Sequence, residues 1–202
     1  MLVINDPKFF LRAEIIREKG TNRSAFFRGE VAKYSWVDIG SSFLPSDITA
    51  AVLFAQLEKL KLIQRKRVRI WNMYYKGLQP LAESGHFELP FIPSYATNNA
   101  HLFYIVCHSQ RGRQALVDFL KKEGISAIFH YLPLHRSSYY RKKHAGGNLP
   151  NCDFYSRCLL RLPLYCNLRL DQVEYIIQKI IQFFCATASK EPPATLGSTQ
   201  SK

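Results

Sequence analysis

Residues 101–131 read HLFYIVCHSQRGRQALVDFLKKEGISAIFHY, and this stretch decides the expected fold. Its β-branched and aromatic beginning predicts a strand from His101 to Cys107, and its last seven residues, Ile125–Tyr131, predict a second strand. Between the two strands, Ser109 precedes a helix that we expect to end near Gly124. The residues expected on the buried side of this helix are Ala115, Leu116, Phe119 and Leu120. Strands that alternate with helices are typical of an α/β fold.

The C-terminal part of the chain continues this alternation. A helix is expected over 152–160, followed by a short edge segment at Leu162–Leu164. Asp171 and Glu174 have the spacing of a capping box at the start of a last amphipathic helix. From Ala186 onward the chain is rich in Ala, Thr, Ser and Pro, which predicts a disordered tail over 186–202.

The N-terminal part begins with a short apolar segment, Leu2–Ile4, which predicts a strand that needs neighbouring strands to pair with. Asp6 and Pro7 predict the start of a helix, because aspartate accepts from free backbone N–H groups and proline fits the first helical position. Residues 21–45 form a long polar and aromatic loop, and ordered loops of this length are usually functional. The helix expected over Ile48–Leu57 is apolar on nearly every side, which predicts burial against another subunit or a further domain.

The chain is strongly basic, with 202 residues and a net charge of +13. Basic residues concentrate in Lys59–Arg69 and in the loop 136–150, and such runs can bind nucleic acid or another polyanion. However, Trp71, Tyr74 and Leu78 follow the first run at helical spacing, which favours the solvated face of an amphipathic helix. A non-catalytic protein that binds nucleic acid or another polyanion therefore stays as the alternative function.

Other classes of protein are not indicated by the sequence. The five cysteines include no C-x-x-C pair and no zinc-finger spacing with histidines, so no metal site is expected. Their irregular spacing is typical of reduced thiols in a cytoplasmic protein. No apolar run reaches the roughly 18 residues that a membrane-spanning helix needs, and the first residues do not resemble a signal peptide. The phosphate-binding loop and the common hydrolase motifs are also absent.

Two clusters are candidates for a binding site. Gly40–Asp47 leads into the apolar helix, and its hydroxyls and free N–H groups suit either a phosphate contact or an ordinary helix cap. The candidates His130, Tyr131 and His135 lie at and just after the C-terminal end of the second expected strand, where ligand groups often lie. These side chains could donate hydrogen bonds to a sugar or a phosphate, but a buried pair of polar histidines is equally compatible with the pattern.

At these residues the chain resembles the DegT/DnrJ/EryC1/StrS family of sugar aminotransferases, over about residues 2–184. The stretches that carry the resemblance are Leu2–Asp6, Arg12–Gly20, Gly40–Asp47, Ala55–Leu57, His101–Ile105, His130–His135 and Leu162–Leu164. The resemblance implies an α/β chain that is the C-terminal part of a fold-type I aminotransferase dependent on pyridoxal 5'-phosphate (PLP). It also implies a homodimer, with glutamate as amino donor and a nucleotide-linked 4-keto sugar as acceptor. In such enzymes PLP is the electron sink and a lysine amine moves the protons.

The resemblance also implies a division into domains and roles for particular residues. We expect the end of the PLP-binding large domain over 1–84 and the small C-terminal domain over 85–185. Ser42 stands where many relatives have an asparagine that contacts the PLP phosphate of the neighbouring subunit. His130, Tyr131 and His135 are expected on the substrate side. The family's Schiff-base lysine lies before the position that matches Leu2, so we expect no catalytic residue in this chain and no activity of the chain alone.

Overall fold

The computed structural model describes residues 2–143 and 145–188. Residues 189–202 of the expected disordered tail lie outside this range. The chain forms two compact units, which divide between Lys59 and Leu60. The proposed boundary between a large and a small domain at residue 84 stays a prediction, and each unit is described separately below.

The first unit consists of three helices and the loops between them. They are α1 (Phe10–Arg17), α2 (Arg23–Phe27) and α3 (Asp47–Glu58), and a single 3-10 turn, Pro7–Phe9, precedes α1. The expected cap is confirmed, because the Asp6 carboxylate accepts from the Lys8 backbone N–H at 3.1 Å. The strand expected at Leu2–Ile4 is wrong for this structure, since the segment has no regular secondary structure and pairs with no strand of the described residues.

Two glycines allow the loop after α1 to cross itself closely. Gly20 has a φ of +76°, and a Cβ atom there would lie 1.9 Å from the Asp38 carbonyl oxygen. A Cβ atom on Gly40 would lie 2.1 Å from the Gly20 nitrogen. Neither position accommodates a larger residue without movement of the backbone, so these glycines hold the segment before α3 against the end of α1.

The apolar helix α3 begins at the expected cap, since the Ser46 hydroxyl accepts from the Thr49 backbone N–H at 3.3 Å. Every residue of α3 is exposed. The large apolar side chains on it are Ile48, Val52, Leu53, Phe54 and Leu57. The burial that its composition predicts is therefore not supplied by the described residues.

The second unit is a small antiparallel sheet covered by helices. Its elements in chain order are α4 (Leu60–Glu83), β1 (Phe87–Glu88), β2 (Phe103–Cys107), α5 (Gln110–Lys122), α6 (Pro150–Cys158), β3 (Leu159–Leu162) and α7 (Leu170–Ala188). The strand order is β1-β2-β3, and Phe103 pairs with Leu162 in the register of the central strand. This mixed architecture confirms the expected α/β class.

The core of the second unit lies between the sheet and the helices α4, α5 and α7. Tyr74 and Leu78 of α4 are fully buried with Phe103 of β2 and Leu160 of β3. Helix α4 approaches α7 closely at Gly77, where a Cβ atom would lie 2.8 Å from the Ile177 side chain. The helical spacing of the apolar residues on α4 therefore marks its buried face, as the sequence predicts.

Three expectations for the second unit are corrected. Ile125–Tyr131 is not a strand, since only Ile128 forms an isolated antiparallel bridge, with Arg161. Ala115 of α5 is exposed, because it lies on the edge of the helix away from the sheet-facing Leu116 and Leu120. The capping box of α7 uses Gln172, whose side-chain oxygen accepts from the Arg169 backbone N–H at 3.1 Å.

Candidate functional site

The loop that carries His130, Tyr131 and His135 starts from the edge of the sheet. The Ile128 N–H donates to the Arg161 carbonyl at 3.1 Å, and the Arg161 N–H donates to the Ile128 carbonyl at 2.8 Å. This pair of hydrogen bonds joins the loop to β3. The start of the loop is therefore held in place against β3.

His130 contacts the strand that anchors its loop. Its Nδ1 atom lies 3.3 Å from the Arg161 guanidinium. The His130 ring lies against the Tyr131 ring, with 4.3 Å between the ring centroids. His130 is half-buried, whereas Tyr131 is 76% exposed. The structure therefore brings these two candidate residues together at the surface.

His135 has a different anchor. It lies in a 3-10 turn, Leu134–Arg136, and its Nε2 atom is 3.2 Å from a carboxylate oxygen of Asp153 on α6. Arg136 donates to the other oxygen of the same carboxylate. Asp153 is only 6% exposed, and Arg136 supplies the hydrogen bond to this buried carboxylate, while His135 lies close to its second oxygen.

The electrostatics of this cluster favour the charged carboxylate. The hydrogen bond from Arg136 lowers the pKa of Asp153, and the charges of Arg136 and His135 act in the same direction, although burial opposes them. Asp153 therefore holds the far end of the loop against α6. Asp153 and Arg136 are 17 positions apart along the chain, so no local sequence pattern predicts this contact.

Arg113 is a second residue that sequence reasoning missed. It is buried on α5, where its Nε atom donates to the Arg157 carbonyl at 3.0 Å. Its guanidinium lies over the ring of Phe129, with 4.0 Å to the ring centroid. Arg113 therefore ties α5 to the residue immediately before His130. No local motif marks this arginine, since it lies among other polar residues at the start of a helix.

Ser42 belongs to the first unit. Its neighbours are held against α1, because the Ser41 N–H donates to the Ile16 carbonyl at 3.0 Å and the Phe43 N–H to the Arg17 carbonyl at 3.1 Å. Ser42 itself is exposed. Its hydroxyl is therefore accessible to a ligand from outside the unit, as a phosphate contact requires.

The described residues include no lysine with the surroundings that a Schiff base to PLP needs. The polar and charged side chains that are buried belong to Thr21, Arg113 and Asp153. A lysine that forms a Schiff base is normally desolvated or placed beside another cation, so that its pKa falls. The half-buried Lys179 has the opposite surroundings, since the hydrogen bond to Glu123 raises its pKa. PLP chemistry therefore does not fit the described residues taken alone.

Several basic residues of the run Lys59–Arg69 interact with other parts of the second unit. Arg67 donates to the carbonyl of Ala100 at 3.1 Å and also to the carbonyl of His101. Arg65 and Arg69 line an open groove of about 930 Å³ whose other wall carries acidic residues at the start of α7. The run is therefore not a continuous cationic surface, and the nucleic-acid alternative is not favoured.

The described residues carry neither a membrane-spanning helix nor a cluster of metal ligands. No helix within residues 2–143 and 145–188 is long and apolar enough to cross a membrane. Over the same residues, no group of three or more histidine, cysteine or acidic side chains could hold a metal ion.

The fold of this chain is shared with solved aminotransferase structures. The chain is similar to the aminotransferase TlmJ from Streptoalloteichus hindustanus, with a TM-score of 0.77 and 24% identity over 92% of this chain and 47% of that one. It is also similar to DesV from S. venezuelae, with a TM-score of 0.76 and 25% identity over 90% and 45% of the two chains. The fold is therefore that of about half of a PLP-dependent sugar aminotransferase.

Sequence comparison gives the family. Residues 1–181 match the DegT/DnrJ/EryC1/StrS aminotransferase family. The chain belongs to this family, whose members are PLP-dependent. A curated relative, the UDP-4-amino-4,6-dideoxy-N-acetyl-beta-L-altrosamine transaminase of Helicobacter pylori, is 25% identical over 194 residues. The match covers 91% of this chain and 47% of the relative, so the chain spans about half the length of that protein.

Proposed function

We propose that this chain is the C-terminal half of a transaminase that aminates a nucleotide-linked 4-keto-6-deoxy sugar. The proposed acceptor is TDP-4-keto-6-deoxyglucose and the proposed amino donor is glutamate. The product would be TDP-4-amino-4,6-dideoxygalactose, which belongs to the enterobacterial common antigen pathway. The observation that carries the reaction class is the family match over residues 1–181. The choice of sugar rests on the resemblance of Arg17–Ser24 and Phe26–Gly29 to that particular transaminase.

The proposed site residues have complementary roles. Ser42 would donate its hydroxyl to the PLP phosphate of the neighbouring subunit in a homodimer. His130, Tyr131 and His135 would line the substrate side, where imidazole and phenol groups can bind sugar hydroxyls and phosphate oxygens. The exposure of Ser42 and Tyr131 supports these roles, because both groups are accessible in the structure. The anchors at Arg161 and Asp153 support them as well, since a binding loop needs a fixed geometry.

We propose that the chain is inactive alone and works only with a further polypeptide segment that supplies the Schiff-base lysine. Two observations support this. No described lysine has suitable surroundings, and every residue of α3 is exposed although the helix is almost entirely apolar. An exposed apolar surface of this kind is typical of an interface. The proposed compartment is the cytoplasm, where the nucleotide sugar would be available.

The experiment is to capture the native protein from its source cells with an antibody against residues 136–150. The captured protein is then assayed for glutamate-dependent amination of TDP-4-keto-6-deoxyglucose with added PLP. We expect activity to accompany a polypeptide or complex of about twice 23.4 kDa, because the chain spans 47% of its relative. Activity of the 23.4 kDa chain alone would contradict the proposed dependence. Absence of activity at every size would contradict the proposed reaction.

A further inference from the structure

We propose that Arg161 is a positioning residue that fixes the tautomer of His130, so that this histidine presents an N–H donor at Nε2 to its ligand. The inference rests on the proposed function, in which His130 lines the substrate side. It adds a specific chemical task to that site: recognition of an acceptor oxygen, such as a sugar carbonyl, a sugar hydroxyl or a phosphate oxygen. It also assigns that task to a strand residue that none of the sequence motifs includes.

The direction of the hydrogen bond follows from the chemistry of the two groups. The Arg161 Nη1 atom lies 3.3 Å from His130 Nδ1. A guanidinium has five N–H donors and no acceptor, so Arg161 must donate and Nδ1 must accept. A neutral imidazole carries its single hydrogen on the other nitrogen when Nδ1 accepts. Nε2 is then the nitrogen that carries the hydrogen and can donate to a ligand.

The backbone makes this arrangement rigid. Arg161 lies on β3, where its Cα partner on β2 is Tyr104. On the other side, its N–H and carbonyl groups exchange hydrogen bonds with Ile128, two residues before His130. The two backbone hydrogen bonds between Arg161 and Ile128 therefore hold the backbones that carry the guanidinium and the imidazole close together. Little conformational freedom is lost when the side chains meet, which favours a single geometry.

The surroundings of Arg161 support a specific role. Its side chain is half-buried. No described carboxylate forms an ion pair with it, whereas Arg28, Arg136 and Arg169 are each paired with one. The position of the Arg161 guanidinium beside His130 is therefore not set by a salt bridge to a described carboxylate. A half-buried cation without an acidic partner is costly unless it is hydrogen-bonded, and here the guanidinium donates to the imidazole of His130.

The test is a tautomer measurement on the 202-residue chain labelled with ¹⁵N in its histidines. The spectra are recorded at about pH 8, above the ordinary pKa of histidine, so that the imidazoles are neutral. Long-range ¹H–¹⁵N correlations then report which ring nitrogen carries the hydrogen. We expect a single Nε2–H form for His130 in the wild type. In Arg161→Met, which has no donor, the ring shifts should move toward those of the histidines in the urea-unfolded chain. Arg161→Lys, which keeps a donor, should restore the wild-type pattern.

The matched control is Arg169→Met, which removes an exposed arginine side chain whose guanidinium donates to the Asp171 carboxylate at the start of α7. It should leave the His130 signals unchanged. An Nδ1–H form in the wild type would overturn the inference, and so would identical His130 shifts in the wild type and Arg161→Met. An Nδ1–H form in the wild-type spectrum overturns the inference even if Arg161→Met does not fold. The tautomer measurement needs no turnover, so a failed amination assay would not affect its result. An unexpected tautomer would likewise not affect the result of the amination assay.

Discussion

Tyr74 joins helix α4 to the end of β3, and its hydroxyl provides a measurable test of the core of the second unit. The side chain is fully buried, its hydroxyl donates to the Pro163 carbonyl at 3.0 Å, and its ring lies 5.1 Å from that of Phe103. Burial raises the pKa of Tyr74, so the hydroxyl stays protonated in the folded unit. The substitution Tyr74→Phe removes this hydrogen bond and keeps the ring.

The expected cost follows from the loss of one buried hydrogen bond. Such a bond contributes about 1 kcal/mol, and the Pro163 carbonyl loses its partner, so we expect a loss of about 1 to 2 kcal/mol. For a unit of this size that corresponds to a decrease in Tm of roughly 3–8 °C. Tyr74→Ala should cost more, about 3 to 5 kcal/mol, because it also leaves a cavity beside Phe103.

The assay is urea unfolding in a Trp36→Phe background, in which Trp71 is the single tryptophan reporter. Trp71 is buried in the second unit against Phe103, with 5.4 Å between the ring centroids, so its fluorescence follows this core. Tyr95→Phe is the control, since Tyr95 is 91% exposed and should change stability by less than about 0.5 kcal/mol. Equal unfolding midpoints for Tyr74→Phe and the control would refute a stabilising hydrogen bond from Tyr74 to Pro163.

Three further predictions concern other parts of the molecule. The folded pKa of Asp153 is lowered, so its contribution to stability is present above about pH 4 and is lost as the pH falls through the folded value. When unfolding is monitored by circular dichroism at decreasing pH, Asp153→Asn should therefore lose less stability on acidification than the wild type. Burial raises the pKa of Cys107 to about 11, so a thiol reagent at pH 8 should modify the exposed Cys152 much faster, and equal rates in the folded chain would contradict this. Gly20→Ala should open the loop after α1, and hydrogen exchange should speed up at the two amides that donate to the Gly20 carbonyl; unchanged exchange would show that the crossing tolerates a Cβ atom.

Local signals explain what could be predicted from the sequence. The caps at Asp6, Ser46 and Ser109 depend on residues two or three positions away, and each is present in the structure. The strand at Phe103–Cys107 has a composition that favours a buried strand, and it is the centre of the sheet. These elements are determined by short-range chemistry, which a sequence displays directly.

Long-range contacts explain what could not be predicted. Ile125–Tyr131 has the composition of a strand, but among the described residues its β-type pairing is limited to the bridge at Ile128. The partners of the candidate histidines, Arg161 and Asp153, lie 31 and about 18 positions away along the chain. Neither partner forms a motif with its histidine, so the anchors of the binding loop become visible only in the folded unit.

The most direct test of the account is whether this chain forms a Schiff base with PLP at one particular lysine. The purified 202-residue chain is incubated with PLP, reduced with borohydride, and mapped by mass spectrometry for labelled lysines. Because the described lysines are exposed or, for Lys179, paired with Glu123, we predict weak labelling spread over several exposed lysines. Stoichiometric labelling of a single lysine, accompanied by amination of TDP-4-keto-6-deoxyglucose, would contradict the claim that the catalytic lysine comes from another polypeptide segment.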